Sequence, residues 1–131
     1  MEYGTFVTEI QRRLDLTDQG EAVRAIRATL TTLGERLQPE EANDLAGPLP
    51  MEIDRFLREA ESGQRFSFEE YLDRVGEIEG TDSPTASRYA QHVMAVVSEV
   101  VPSGELKQVR SQLPSDFDQL FELVDEGVFE G

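Results

Sequence analysis

An internal repeat constrains the fold of this chain more than any other feature of its sequence. Across residues 18–56, adding 64 leads from Leu30, Leu33 and Leu37 to the apolar Met94, Val97 and Val101, and Leu49-Pro50 falls on Leu113-Pro114. Upstream of this stretch the offset becomes 65, which places Tyr3 on Phe68. Because chance does not align apolar positions, turns and Leu-Pro pairs together, we interpret the chain as a duplication.

Each copy has the apolar spacing of four helices. Apolar residues recur every three or four positions, and no stretch alternates apolar and polar residues long enough to indicate a strand. Asp18 and Ser67 each precede a Glu by three residues, which is typical of helix starts. Ser83 is the expected N-cap of the long helix in the second copy, with Pro84 at its first position. The sequence therefore predicts an all-α fold.

The two copies are expected to form one compact unit. Residues 1–63 contain the first four-helix repeat, and residues 64–131 contain the second. The junction at Gln64–Phe66 is too short for a flexible linker. We therefore predict two tandem repeats that pack into one cooperative helical domain.

The charge of the chain indicates the solvent in which it works. Twenty-seven acidic residues oppose twelve basic ones, for a net charge of −15, and Lys107 is the single lysine. Carboxylate-rich, lysine-poor chains are typical of halophiles, since molar salt shortens the Debye length to about 3 Å and screens the repulsion. The alternative is a GC-rich genome, which favours Arg codons, together with ordinary acidity.

Composition also excludes several classes of protein. The net charge disfavours binding to nucleic acid and to anionic membranes. The absence of cysteine excludes disulfides, thiolate zinc sites and cysteine nucleophiles, and the single His92 excludes a multi-histidine metal site. The N-terminus lacks the pattern of a signal peptide, and the longest apolar run, Val93–Val97, is far shorter than the roughly 20 residues of a membrane span. We expect a soluble cytoplasmic protein.

The order of these segments resembles a known family. An aromatic-start helix, a long Ala-rich helix, a short helix and a Leu-Pro pair are similar to the domain of unknown function 2267 family. The matching stretches are Ala22–Leu37, Glu41–Pro50, Phe66–Leu72, Ala86–Val101 and Gly104–Pro114, the last being the most specific. The resemblance implies a small all-helical prokaryotic protein, here a haloarchaeal member, without a known activity, cofactor or catalytic residue.

The long helix of the second copy has an unusually wide apolar arc. Val96 and Val100 extend this arc, whereas their counterparts in the first copy are Thr32 and Arg36. Our first interpretation is that both valines lie in the core between the repeats. The alternative is that they form a surface for a protein partner or a homodimer.

Few residues suggest chemistry. Arg24 and Arg88 occupy equivalent positions, and we rank a structural bond between helices above anion binding. His92 lies outside the apolar arc without an evident nucleophile, so a surface or boundary position is favoured over catalysis. The carboxylate clusters at 40–44 and 69–73 lie in first helical turns, where the helix dipole explains them better than a metal does. We predict no catalytic, cofactor or metal site.

Four functions remain open at this point. The leading one is a non-catalytic interaction or regulatory module of a halophile. The alternative is a small-ligand binder in the groove between the repeats. A metal enzyme that uses converging carboxylates and a charge mimic of nucleic acid rank below these two.

Overall fold

The computed structural model describes residues 1–127, and this part of the chain is helical throughout, with no strand. It contains eight α-helices and one 3₁₀ helix, so the all-α prediction is confirmed. Their bounds are α1 (Tyr3–Arg13), α2 (Gln19–Arg36), α3 (Pro39–Ala46), α4 (Met51–Arg58), α5 (Phe68–Glu79), α6 (Ser83–Val100), α7 (Ser103–Ser111), the 3₁₀ helix η1 (Ser115–Phe121) and α8 (Glu122–Glu126). The last four residues of the predicted second repeat, 128–131, lie outside the described part.

Two predicted helix starts carry the expected caps. The Asp18 carboxylate accepts a hydrogen bond from the backbone N–H of Glu21 at 2.9 Å, at the start of α2. The Ser67 hydroxyl accepts one from the backbone N–H of Glu70 at 3.1 Å, at the start of α5. Each bond satisfies one of the N–H groups that the first helical turn leaves without a partner.

The predicted start of α6 is wrong by one residue. The cap is Asp82, whose side chain accepts a hydrogen bond from the backbone N–H of Thr85 at 2.9 Å. Ser83 is therefore the first helical residue and Pro84 the second. A carboxylate in front of a serine takes over the cap, because it accepts the same bond with a full negative charge.

The final helix of the second half differs from its counterpart α4. A single helix was predicted, whereas the structure has η1 followed by the short α8. The 3₁₀ winding places residues three apart on one side, and both Phe117 and Leu120 are buried there. Phe117 packs edge-on against Phe68 and Tyr71, at centroid distances of 5.4 and 5.7 Å. This aromatic packing accompanies the tighter turn.

The two halves share one hydrophobic core. The long helices α2 and α6 pack against each other, α1 contacts α6, and α5 contacts α2, so the first helix of each half also packs on the long helix of the other. The buried Tyr71 hydroxyl donates to the backbone carbonyl of Thr29 at 2.9 Å, which joins α5 to α2. An ion pair between Arg13 and Glu99, at 2.6 Å, joins α1 to α6.

The connection between α4 and α5 lies along the end of α2. The backbone N–H groups of Gly63 and Gln64 donate to carbonyls at the end of α2, at 2.7 and 2.9 Å. The Nε of Arg36 donates to the carbonyl of Phe66 at 2.9 Å. These bonds hold the junction between the halves in a fixed position.

Among the described helices, none has the length and apolar character that a membrane span requires.

Candidate functional site

The structure separates the two valines of the wide apolar arc. Val96 has no exposed surface and belongs to the core. Val100, one turn later, is partly buried and packs against the same core. A side chain without accessible surface cannot contact a partner. Val96 therefore belongs to the core and does not contribute to a partner surface.

Arg24 and Arg88 do not form the structural bond that was ranked first for them. Both side chains are exposed, and in residues 1–127 neither makes a hydrogen bond or an ion pair. Arg24 lies near enough to Glu79 to favour the charged form of that carboxylate, although burial has the larger effect and raises the pKa of Glu79. An exposed arginine gains little from such a distant partner. Anion binding by these residues stays a prediction.

His92 lies at the boundary between core and surface, as the sequence favoured. Its side chain is half-buried. Burial lowers the pKa of His92, and the positive charges of Arg88 and Arg13 lower it further. The imidazole is therefore biased towards its neutral form, which the surrounding cations and the burial both favour.

An open pocket of about 510 Å³ lies where the two halves meet. It is formed by the end of α2, the junction and the start of η1. Its lining residues are Arg36, Arg65, Phe66, Ser67, Pro114, Ser115 and Asp116. The pocket is thus built from both halves. It is not the groove between the second helices that the sequence suggested for a small ligand, because α6 contributes no lining residue.

Arg36 is held in this pocket by contacts that leave part of its guanidinium free. Its Nε donates to the Phe66 carbonyl, and its guanidinium carbon lies 6.0 and 5.6 Å from the ring centroids of Phe66 and Phe117. These distances are at the limit of a cation–π contact. Within residues 1–127 the terminal nitrogens of Arg36 make no hydrogen bond. They are available to a ligand.

The pocket is locally cationic in a strongly acidic protein. Burial lowers the pKa of Arg36, and repulsion from Arg65 lowers it further, while Asp116 opposes the shift. In the described part of the chain, Arg65 is exposed and has no ion pair. Asp116 is already engaged, since its Oδ2 accepts a hydrogen bond from the backbone N–H of Phe68 at 2.9 Å. Two guanidinium groups therefore face one carboxylate.

Such an arrangement suits an anion with several oxygen atoms. Guanidinium groups present parallel N–H donors that match the geometry of carboxylate and phosphate. In the sequence, Arg36 stands out only as the polar counterpart of Val100, and Arg65 only as part of the junction. The sequence feature that could have indicated the pocket is this pair of arginines, one at the end of α2 and one in the junction. No pattern in the sequence showed that they share one pocket.

A second cluster brings together three carboxylates. Oxygen atoms of Glu41, Asp44 and Glu105 all lie within 4.8 Å of one another, where α3 packs against α7. Glu41 is only 8% exposed. Burial raises the pKa of Glu41, and the negative charges of Glu105 and Asp44 raise it further. The sequence placed Glu41 and Asp44 in a cluster with Glu40 but missed Glu105, which lies 64 residues away.

The other acidic cluster foreseen in the sequence, residues 69–73, is not among the convergent groups of the described chain. The Glu70 carboxylate instead pairs with Arg74 at 2.6 Å. Arg74 also pairs with Glu35 at 3.1 Å and lies over the ring of Phe66, 3.9 Å from its centroid. Glu70 of this cluster therefore has a structural partner, in addition to the helix dipole that its first-turn position favours.

Comparison with protein families gives one match. The family model described as "Uncharacterized conserved protein (DUF2267)" matches residues 3–120. The chain belongs to the DUF2267 family. The resemblance seen in the segment order is thereby confirmed. A comparison with curated protein sequences finds no match.

Both clusters lie within the DUF2267 match. The pocket of Arg36 and Arg65 and the carboxylates of Glu41, Asp44 and Glu105 all fall between residues 3 and 120. The description of the DUF2267 family names no activity. The chemistry of this member must therefore be argued from its own residues.

Proposed function

We propose that this DUF2267 protein is a non-catalytic regulatory module that binds a small anion in the pocket between its halves. The observation that carries the proposal is the pair of guanidinium groups, Arg36 and Arg65, beside one carboxylate. An acidic chain with a net charge of −15 has many carboxylates with which to neutralise its arginines. Two neighbouring arginines with free N–H donors therefore favour a ligand-binding role over a purely structural one.

The ligand class follows from the donors and the setting. The pocket offers guanidinium N–H groups from Arg36 and Arg65, next to the ring of Phe66. A carboxylate or phosphate group on a small organic molecule would pair with the cations and place its carbon skeleton near the ring. Nucleic acid is a poor candidate, because the rest of the surface would repel a chain of phosphates.

The interaction role with a protein partner or homodimer has weaker support. Among the described residues, the large apolar side chains that are exposed are Met1 and Met51, at 46% and 79%. Val96 contributes no surface, and Val100 contributes only part of its side chain. A regulatory module of this shape would therefore act through its ligand more readily than through a broad apolar face.

We also propose how the fold arose and where the protein works. We infer an internal duplication, supported by the bounds of α2 and α6, whose first and last residues both differ by 64 positions. The first residues of α3 and α7 differ by the same number. We also infer a haloarchaeal origin, which the excess of carboxylates and the single lysine support, and the cytoplasmic location stays a prediction.

Ligand titrations followed by NMR test the anion site. Inorganic phosphate and acetate, added at constant ionic strength to the ¹⁵N-labelled protein, should shift the amide signals of the junction and of the start of η1. Arg36→Gln and Arg65→Gln should each weaken binding by about tenfold or more, because each removes a charge-assisted hydrogen bond worth about 1.5–3 kcal/mol.

The matched controls are Arg24→Gln and Arg88→Gln, which remove exposed arginines outside the pocket. Both should leave the affinity unchanged. The proposal fails if neither anion shifts these signals, or if the control variants lose as much affinity as the pocket variants. The second result would place anion binding at the repeated arginines. Comparing phosphate with acetate separates the two ligand types.

A further inference from the structure

We propose that Glu41, Asp44 and Glu105 bind a calcium ion between α3 and α7. The inference is independent of the anion pocket, which lies at the end of α2, the junction and the start of η1. It assigns a role to a cluster that the fold has brought together from positions 64 residues apart.

The first argument is that the cluster has no cation of its own. Three carboxylates meet within 4.8 Å, and no Lys or Arg of the described chain forms an ion pair with any of them. Like charges at this distance repel each other, most strongly where water is excluded. A structural role would have been served better by an arginine, of which the chain has eleven.

The second argument is the state of the buried oxygens. Glu41 is more than nine-tenths buried, and although Gln108 hydrogen-bonds to its carboxylate, its Oε2 has no partner. The Oε2 of Glu105 is also buried without a partner. Buried polar atoms are almost always hydrogen-bonded, so two orphaned carboxylate oxygens in one cluster require an explanation. A bound cation would satisfy both.

The ligand set favours calcium over magnesium. Calcium takes oxygen ligands at about 2.3–2.6 Å in a flexible geometry and binds several carboxylates directly. Magnesium requires a near-ideal octahedron at about 2.0–2.1 Å, keeps several waters and uses only one or two carboxylates. Three carboxylates whose oxygens lie within 4.8 Å of one another therefore suit calcium better. Asp44 is exposed, which leaves room for water to complete the six to eight oxygen ligands of calcium.

The ion would connect the halves. Glu41 and Asp44 belong to α3 of the first half, and Glu105 belongs to α7 of the second. Calcium bound between them would stabilise the folded chain, and this stabilisation would grow with the logarithm of the calcium concentration above the dissociation constant. A proton shared between Glu41 and Glu105 is the competing explanation, because one protonated carboxyl would relieve the same repulsion.

Calorimetry with calcium tests the site in the full-length protein. CaCl2 and MgCl2 are titrated at neutral pH, with the ionic strength held constant by KCl so that screening alone gives no signal. We expect one saturable calcium site, with magnesium bound at least tenfold more weakly. Glu41→Gln and Glu105→Gln should each weaken calcium binding by at least tenfold, whereas Glu69→Gln, in the acidic cluster that does not converge, should leave it unchanged.

Thermal melts of the same variants distinguish a cation from a shared proton. Calcium at a concentration that just saturates the parent should raise the Tm of the parent protein and of Glu69→Gln, and it should raise the Tm of Glu41→Gln much less. Glu41→Gln removes a buried charge and keeps the shape of the side chain, so this variant should fold. The proposal is overturned if calcium gives no saturable heat, or if Glu41→Gln binds calcium like the parent. A calcium-insensitive parent whose Tm rises on substitution of Glu41 would identify the shared proton.

Discussion

Truncation of Val96 tests whether the wide apolar arc of α6 is a core feature. Val96→Ala removes two methyl groups from a side chain that has no exposed surface. Loss of one buried methyl group, as in Ile→Val, costs about 0.5–1.5 kcal/mol, so the two should cost about 1–3 kcal/mol. A chain of 131 residues has a free energy of unfolding of about 7–20 kcal/mol. The variant should therefore fold and be measurably less stable.

Urea unfolding followed by far-ultraviolet circular dichroism measures this loss. With a slope of about 2 kcal/mol per molar urea, a loss of 2 kcal/mol lowers the midpoint by about 1 M. Val100→Ala is the matched control, because it makes the same chemical change one turn later on the same helix, where the side chain is partly exposed. We expect its midpoint to fall by less than half as much.

The reverse order of stabilities would refute this assignment. If Val96→Ala were as stable as the parent, the side chain would not be packed in the core. Sedimentation of Val100→Arg in molar KCl completes the test of the arc. A folded variant with a lower mass than the parent would show that this edge supports self-association.

Four further perturbations have defined outcomes. The Tm should rise from low salt to molar KCl, because salt screens the charge of −15, and a flat or falling curve would remove the halophilic interpretation. Residues 1–63 and 64–131, expressed separately, should give poorly dispersed NMR spectra, since they share one core; two sharp native-like spectra would contradict this. Gly34→Ala should destabilise the protein, because the added Cβ would lie 2.8 Å from a neighbouring side chain, whereas Gly104→Ala, with nothing within 4 Å, should be neutral or stabilising. The His92 imidazole should titrate in NMR with a pKa below 6.5; the stability that its neutral form contributes is present above pH 6.5 and is lost as the pH falls through the lowered pKa, so His92→Gln should reduce the loss of stability in acid.

Local interactions explain what could be predicted from the sequence. The helices follow from the apolar period, and the cap at Asp18 depends on a backbone group only three residues away. The error at Ser83 arose because Asp82 offers the same oxygen one position earlier. The split of the last helix depends on the packing of Phe117 against α5, which no local pattern encodes.

The candidate sites required knowledge of which helix faces meet. Arg36 and Arg65 are separated by 28 intervening residues, and Glu41 and Glu105 by 63. Their charges alone predict that they should avoid each other. The charged residues of each site lie close together because burial of the apolar helix faces determines how the helices pack. The positions of the charged side chains at the edges of those faces follow from this packing. The repeat offset related positions 41 and 105, yet an equivalence between two positions does not imply contact.

The packing of each first helix on the long helix of the other half has a consequence for synthesis of the chain. The face of α2 that α5 and α6 cover leaves the ribosome before either helix has been made. At about 5–20 residues per second, the stretch 64–100 takes about 2–7 s to translate. During that time the apolar side chains of α2 lack the cover of α5 and α6 and can bind to other nascent chains. We therefore expect the yield of folded protein to depend on how quickly residues 64–100 follow the first half out of the ribosome.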